Sequence, residues 1–261
     1  MTTRKDRDKL HTQIDQLNNA ELIVVNRFVD SVLASIRMSL RDNSWLVTRS
    51  WAEMFITQLK AHHALQPDPL SRKAFEQAFN RSCETAGFLT YPSESMTQRF
   101  FDTSIDLPGQ GRINLSLKAS AAQGMKEDTI HISKLTEAAW IQDVRTQAER
   151  YKHIVELFEE YQQRTNLIII LRAFSDEHNI LKYELTEIPT SIFATVNQLN
   201  ISQAQAATIK LPPGASSQDA IARIRVDRSD AKITVTGIKK KYCIVHGLWW
   251  IPIVLQHDAH S

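Results

Sequence analysis

The chain has 261 residues, of which 43% are hydrophobic and 23% are charged, and its net charge is +2. This balance excludes a disordered, fibrous or disulfide-rich class and fits a globular fold with a sizeable core. The longest aliphatic run, residues 167–171, is too short to cross a bilayer, and the charged first residues do not resemble a signal peptide. We therefore expect a cytoplasmic protein without a membrane partner.

The first quarter of the chain shows helical spacing. In residues 19–37 apolar side chains recur every three or four positions, and Asn18 or Asn19 can cap the start of a helix. A second helical stretch covers about residues 45–62, and the proline-containing segment 66–69 ends it. These patterns predict a helical lobe over residues 1–66, which serves packing or dimerisation.

Residues 67–190 carry both helical and strand patterns. The spacing predicts helices at about 71–86 and 133–164, and strands at 99–107, 112–119, 167–171 and 181–188. Gly87 suits the end of the first of these helices, and residues 108–111 have the composition of a tight turn between the first two strands. This order predicts an α/β (α+β) fold with a mixed central β-sheet flanked by helices.

Residues 191–261 are predicted to form a β-rich extension. Strand patterns cover about 221–227, 231–238 and 241–246, and an apolar stretch follows at 248–255. The same region is locally basic, which suits contact with a phosphate backbone, although a solvated strand face has the same composition. The candidate DNA-binding residues are Arg223, Arg225, Arg228, Lys232, Lys239, Lys240 and Lys241.

The hairpin predicted around residues 108–111 carries the strongest candidate chemistry. Ser116 and Lys118 are two positions apart on one strand and therefore share a face, while Asp106 lies at the end of the preceding strand. A tight hairpin is expected to bring the three side chains together. A carboxylate oxygen can hold Mg²⁺, and the lysine can orient or deprotonate an attacking water.

The segments 104–106 and 115–118 resemble the signature of the PD-(D/E)XK nuclease superfamily, and the helix around residues 73–79 is similar to that family's first core helix. The resemblance covers about residues 71–190 and implies a restriction-endonuclease-like core in αβββαβ order. It also implies a Mg²⁺-dependent endonuclease that cuts double-stranded DNA at a specific short sequence, and a homodimer that uses the helical lobe as its interface.

One position departs from the family's pattern, because Ser116 stands where an acidic residue precedes the lysine. The resemblance then implies that a carboxylate from elsewhere completes the site. Glu76 on the first core helix is the first candidate and Glu84 the second, so that Asp106 and Glu76 are the expected metal ligands. Asp102 competes with Asp106 but ranks lower, because its position is earlier in the predicted strand.

Two other functions are compatible with the same residues. A repair or structure-specific nuclease could use the same fold and the same centre. A catalytically silent nucleic-acid-binding protein could have kept the fold and lost the acidic ligand at Ser116.

Overall fold

The structure is a computed structural model that describes residues 4–93, 99–107, 109, 111–175 and 180–252. Its α-helices are α1 (Arg4–Ile14), α2 (Asn19–Leu33), α3 (Arg49–Leu65), α4 (Arg72–Thr85), α5 (Gln147–Arg164) and α6 (Ile201–Ala204). Its strands are β1 (Arg37–Leu40), β2 (Thr90–Pro92), β3 (Thr103–Leu107), β4 (Gly111–Ser120), β5 (Thr129–Glu137), β6 (Leu167–Ser175), β7 (Ile180–Pro189), β8 (Ile209–Leu211), β9 (Ala222–Asp227), β10 (Lys232–Lys239) and β11 (Ile244–Pro252). Short 3-10 helices cover Ala139–Gln142, Thr190–Gln198 and Lys240–Tyr242.

The strands form two sheets. The central sheet has the order β1-β11-β7-β6-β4-β3-β2, in which β4 and β6 are parallel and the other neighbours are antiparallel. The second sheet is antiparallel and has the order β5-β10-β9-β8. The predicted mixed α/β class is thereby confirmed. The central sheet includes β1 from the predicted helical lobe and β11 from the predicted C-terminal extension. The domain boundaries at residues 66 and 190 stay predictions.

Two hydrophobic cores lie on opposite faces of the central sheet. On one face α3 and α4 pack aromatic side chains, among them Trp51 and Phe79, against Leu115 and Leu117 of β4. On the other face α5 packs against β6 and against the inner side of the second sheet. The predicted alternation along β4 is therefore confirmed, since its leucines enter one core while Ser116 belongs to the opposite face.

Local signals set the ends of the helices near the site. Ser71 caps α4 by accepting a hydrogen bond from the Ala74 N–H, and Gly87, with φ of 88°, follows the helix as predicted. Thr146 and Glu149 form a capping box that starts α5. Within the described part of the chain, no helix combines the length and the apolar character needed to cross a membrane.

Several predicted boundaries are wrong. The helix predicted over 133–164 begins only at Gln147, because residues 129–137 pair with β10 as strand β5 and bury Ile130 and Ile132 between the sheet and α5. The helix predicted over 19–37 ends at Leu33, and the helix predicted from residue 45 begins at Arg49 after the cap Thr48.

The C-terminal elements also differ from the prediction. Residues 240–242 form a 3-10 helix, and 244–252 form one continuous strand of the central sheet. Residues 108 and 110 of the predicted turn and residues 253–255 of the predicted apolar stretch lie outside the described residues.

Candidate active site

The register of the β3–β4 hairpin separates Asp106 from Lys118. In this antiparallel pair Thr103 lies opposite Leu115, and Asp106 lies opposite Arg112. The Asp106 carboxylate accepts hydrogen bonds from the Tyr91 hydroxyl (2.9 Å) and from Arg112 Nε (3.2 Å). The expectation that the hairpin brings Asp106 to Ser116 and Lys118 is therefore wrong, because a tight antiparallel hairpin pairs residues that are equally far from the turn.

Asp102 occupies the place beside Lys118 instead. Its Oδ2 atom accepts a hydrogen bond from the backbone N–H of Leu117 (2.6 Å) and a longer one from the Ser116 hydroxyl (3.4 Å). The same oxygen lies 4.0 Å from Lys118 Nζ. Ser116 and Lys118 are thus brought together as predicted, and the carboxylate between them belongs to the residue that the sequence ranked second.

A bend before β3 places Asp102 at this position. Phe100 has φ of 81°, its side chain is buried, and its ring lies edge-on to Tyr161 of α5, with 5.6 Å between the ring centroids. Its carbonyl accepts a hydrogen bond from the Thr165 hydroxyl (3.1 Å). After the bend, the Asp102 N–H donates to the Leu115 carbonyl (2.8 Å), which holds the carboxylate against β4.

Helix α4 supplies the second carboxylate. Arg72 donates from Nε to Glu76 Oε1 (2.7 Å) and from Nη2 to Asp102 Oδ1 (2.6 Å), so one guanidinium bridges the two acids. Glu84 accepts a hydrogen bond from the Thr90 hydroxyl (3.0 Å). Of the two helix carboxylates that the sequence offered, Glu76 is the one that shares a hydrogen-bond partner with Asp102. Arg72 itself was missed, although its position four residues before Glu76 is a recognisable helix-pair spacing.

The environment of Lys118 changes its protonation. Burial lowers its pKa from the ordinary value of 10.5 to about 8; Asp102 opposes this shift and the Arg72 charge adds to it. A lysine with such a pKa is partly neutral in mildly alkaline solution. It can then accept a proton from a water molecule, as a general base requires.

The donor chemistry of the site fits a hard divalent cation. Glu76 and Asp102 offer carboxylate oxygens that converge on one guanidinium, and Mg²⁺ is commonly held by one or two carboxylates together with water and substrate phosphate. Among the residues that the structure describes, no group of three or more His, Cys, Asp or Glu side chains is placed to hold a metal. The predicted ligand pair has different partners, since Asp106 is held by Tyr91 and Arg112 and Glu76 by Arg72.

The seven candidate DNA-binding residues lie on β9 and β10, in the turn after β9 and in the 3-10 helix after β10. Arg225 is exposed, and Lys232 forms an ion pair with Asp230. Lys240 instead lies 2.5 Å from the carboxylate of the buried Glu184, which also pairs with Arg172. The remaining members bond mainly to backbone carbonyls or stack on a neighbouring ring: Arg223, Arg228, Lys239 and Lys241.

Helix α4, the hairpin strands β2, β3 and β4, then α5 and β6 follow one another in αβββαβ order, with β5 inserted and paired into the second sheet. This order, with the carboxylates beside a buried lysine, matches the restriction-endonuclease-like core that the resemblance to the PD-(D/E)XK nucleases implies.

The family model described as SmaI, type II site-specific deoxyribonuclease, matches residues 29–251, and the chain belongs to this family. The type II restriction enzyme SmaI of Serratia marcescens is 26% identical over 206 residues, which cover 76% of this chain and 78% of that protein. No solved structure matches the chain. The predicted class, a type II site-specific deoxyribonuclease, is confirmed.

Proposed function

We propose that this deoxyribonuclease hydrolyses phosphodiester bonds of double-stranded DNA with Mg²⁺, at a centre formed by Asp102, Glu76 and Lys118. The observation that carries the proposal is the buried ammonium of Lys118, 4.0 Å from a carboxylate oxygen of Asp102 that the Leu117 N–H also holds. Because the substrate is DNA, we also propose that the protein acts in the cytoplasm.

Each side chain has a defined part in the proposed reaction. Lys118 in its neutral form takes a proton from the attacking water, whose oxygen bonds to phosphorus while the bond to the leaving oxygen breaks. Ser116 and the Leu117 N–H fix the orientation of the Asp102 carboxylate. Asp102 and Glu76 would hold Mg²⁺, which supplies polarisation of the phosphate and stabilisation of the leaving oxygen.

The cleavage assay that tests this function uses purified protein, a large viral or plasmid DNA and Mg²⁺. We expect discrete and reproducible fragments, loss of cutting when a chelator removes the cation, and recovery when Mg²⁺ is restored in excess. Smeared or branch-dependent products would contradict the proposal in favour of a repair or structure-specific nuclease. Binding without cleavage at every divalent cation tried would favour a catalytically silent relative.

We propose that the basic residues of the second sheet contact the DNA backbone. Their support is their charge and, for Arg225, Arg228 and Lys241, their exposure. Lys240 has the weakest support of the set, because its ammonium is already paired with the buried carboxylate of Glu184. An ammonium with such a partner would have to break that pair before it reached a phosphate.

We also propose a homodimer that forms through α2. A duplex has two strands, and each chain contributes one Asp102–Lys118 centre, so two copies are needed to cut both strands in one binding event. Helix α2 exposes apolar side chains that suit such an interface: Ile23, Val24 and Phe28 are 55%, 54% and 39% exposed, and Leu33 is 75% exposed.

Replacing Phe28 with arginine is expected to convert the dimer to a monomer, because a charge would have to be buried in the apolar contact. Light scattering would report the halved mass, and plasmid cutting would change from double-strand breaks to nicks. Leu65→Arg is the matched control, since Leu65 is an exposed leucine of α3 (67%) and should leave the mass unchanged. A Phe28→Arg protein with unchanged mass would contradict the α2 interface.

A further inference from the structure

A cavity of about 210 Å³ opens beside Lys118, between β4 and β5. Its polar lining comes from two sides: Arg72, Lys118 and Ser120 lie on the side of the proposed active centre, and His131, Ser133 and Lys134 belong to β5. Every residue of this lining that can carry a charge is basic, and none of the described residues that line the cavity is acidic. The cavity therefore suits an anion.

A bulge in β5 turns its polar side chains to this cavity. Val235 of β10 lies opposite Ile132 and Ile233 opposite Thr136, so β5 has three residues between these pairs where β10 has one. Ile132 and Leu135 remain buried, and Ser133 and Lys134, which are consecutive, are both exposed. The two extra residues in β5 redirect its side chains, and such bulges are frequent beside active sites.

The two basic side chains of β5 are available to a ligand. Lys134 pairs with Glu137 at 2.9 Å, but both side chains are largely exposed, and such surface pairs contribute little stability. The charge of Lys134 also reaches the centre, since it helps to lower the pKa of Lys118. Burial, assisted by Lys232, lowers the pKa of His131, so its ring offers a hydrogen bond rather than a charge at neutral pH.

We propose that His131 and Lys134 bind a backbone phosphate next to the one that is hydrolysed, and so position the DNA strand over Lys118. The inference rests on the proposed function, because it takes the scissile phosphate to lie at Lys118. It assigns β5 a binding role that the sequence motif does not contain. Lys134 supplies the charge and His131 a directional hydrogen bond to one phosphate group.

The test is a double-mutant cycle that combines substitution of one protein side chain with removal of the charge of one DNA phosphate, and it measures DNA affinity. The protein is titrated with a duplex that contains its cleavage site, without Mg²⁺, and with duplexes in which one phosphate flanking the cut is an uncharged methylphosphonate. Lys134→Ala is expected to weaken binding of the natural duplex about tenfold and to reduce the slope of log affinity against log salt by about 1. His131→Ala should weaken it severalfold, and His131→Asn, which keeps a hydrogen-bond donor, should recover part of the loss.

The cycle identifies the phosphate by non-additivity. At one flanking position the methylphosphonate should weaken binding by the wild-type protein but should not weaken binding by Lys134→Ala any further. Lys152→Ala is the matched control, because Lys152 is also an exposed lysine paired with a glutamate one turn away, on α5. Additive losses at every flanking position would overturn the inference. That outcome is distinct from failure of the proposed function, which would appear as absent cleavage with Mg²⁺.

Discussion

Replacing Lys118 with methionine is expected to abolish DNA cleavage and, at pH 7, to make the fold more stable. The side chain is only 12% exposed, and methionine has a similar length and no charge. At pH 7 the lysine is protonated in both the folded and the unfolded chain, so its burial disfavours the folded state. The ammonium of Lys118 in the active centre thus lowers the stability of the folded protein at pH 7.

The size and the pH dependence of this effect follow from the pKa. Folding lowers the pKa of Lys118 from 10.5 to about 8, and one pKa unit corresponds to about 1.4 kcal/mol, so methionine should stabilise the fold by up to about 3 kcal/mol. The destabilisation by lysine is complete below about pH 8, where the side chain is protonated in both states. It declines between about pH 8 and 10.5, where the folded lysine is neutral and the unfolded lysine still binds a proton, and it is absent above that range.

Denaturant unfolding of both proteins at pH 7 and near pH 10.5 measures the difference. A difference in unfolding free energy that is large at pH 7 and small near pH 10.5 is the expected result. Lys152→Met serves as the control, since Lys152 is 69% exposed and should change neither stability nor cleavage. A Lys118→Met protein that is less stable than the wild type at pH 7 would show that the ammonium stabilises the fold through Asp102.

Local patterns in the sequence were sufficient to predict β4 and α4, two of the elements around the active site. The alternation of Leu115 and Leu117 with Ser116 and Lys118 identifies β4 and assigns its two faces, because strand side chains alternate regardless of the rest of the fold. Helix α4 follows from the same kind of local signal, its apolar spacing and the glycine at its end. The structure of both elements therefore agrees with the prediction.

The choice of carboxylate could not be made locally. Asp102 lies beside Lys118 because the hairpin pairs Thr103 with Leu115. The preceding Phe100 is also anchored, by Tyr161 of α5 and by Thr165 at the end of that helix. Those anchors are more than 50 positions away in the chain. The symmetry of the predicted hairpin could nevertheless have shown that Asp106 faces Arg112.

Residues 133–146 were predicted as helix for a related reason. The apolar positions Leu135, Ala138 and Ile141 are three residues apart, a spacing that a helix also allows. Residues 129–137 form a strand because they pair with β10, which comes about a hundred residues later in the chain. Likewise, the pairing of Lys240 with the buried Glu184 depends on β7 and cannot be inferred from a basic run.

Replacing Asp102 with asparagine is expected to reduce cleavage about a thousandfold or more, and the same change at Asp106 to leave it within about threefold of the wild type. Asparagine keeps the oxygen that accepts the Leu117 N–H, so the fold is retained while the negative charge beside Lys118 is lost. Asp106 is the matched control because it is another β3-region carboxylate, held by Tyr91 and Arg112 away from the buried lysine.

The location of the active centre is tested most directly by single-turnover cleavage of one duplex substrate by these two variants and the wild type, at saturating Mg²⁺. Unfolding curves for all three proteins confirm that the fold is intact. Loss of cleavage in Asp102→Asn with near-normal rates in Asp106→Asn is the expected result. Near-normal cleavage by Asp102→Asn together with an inactive Asp106→Asn would contradict the assignment of the centre to Asp102 and Lys118.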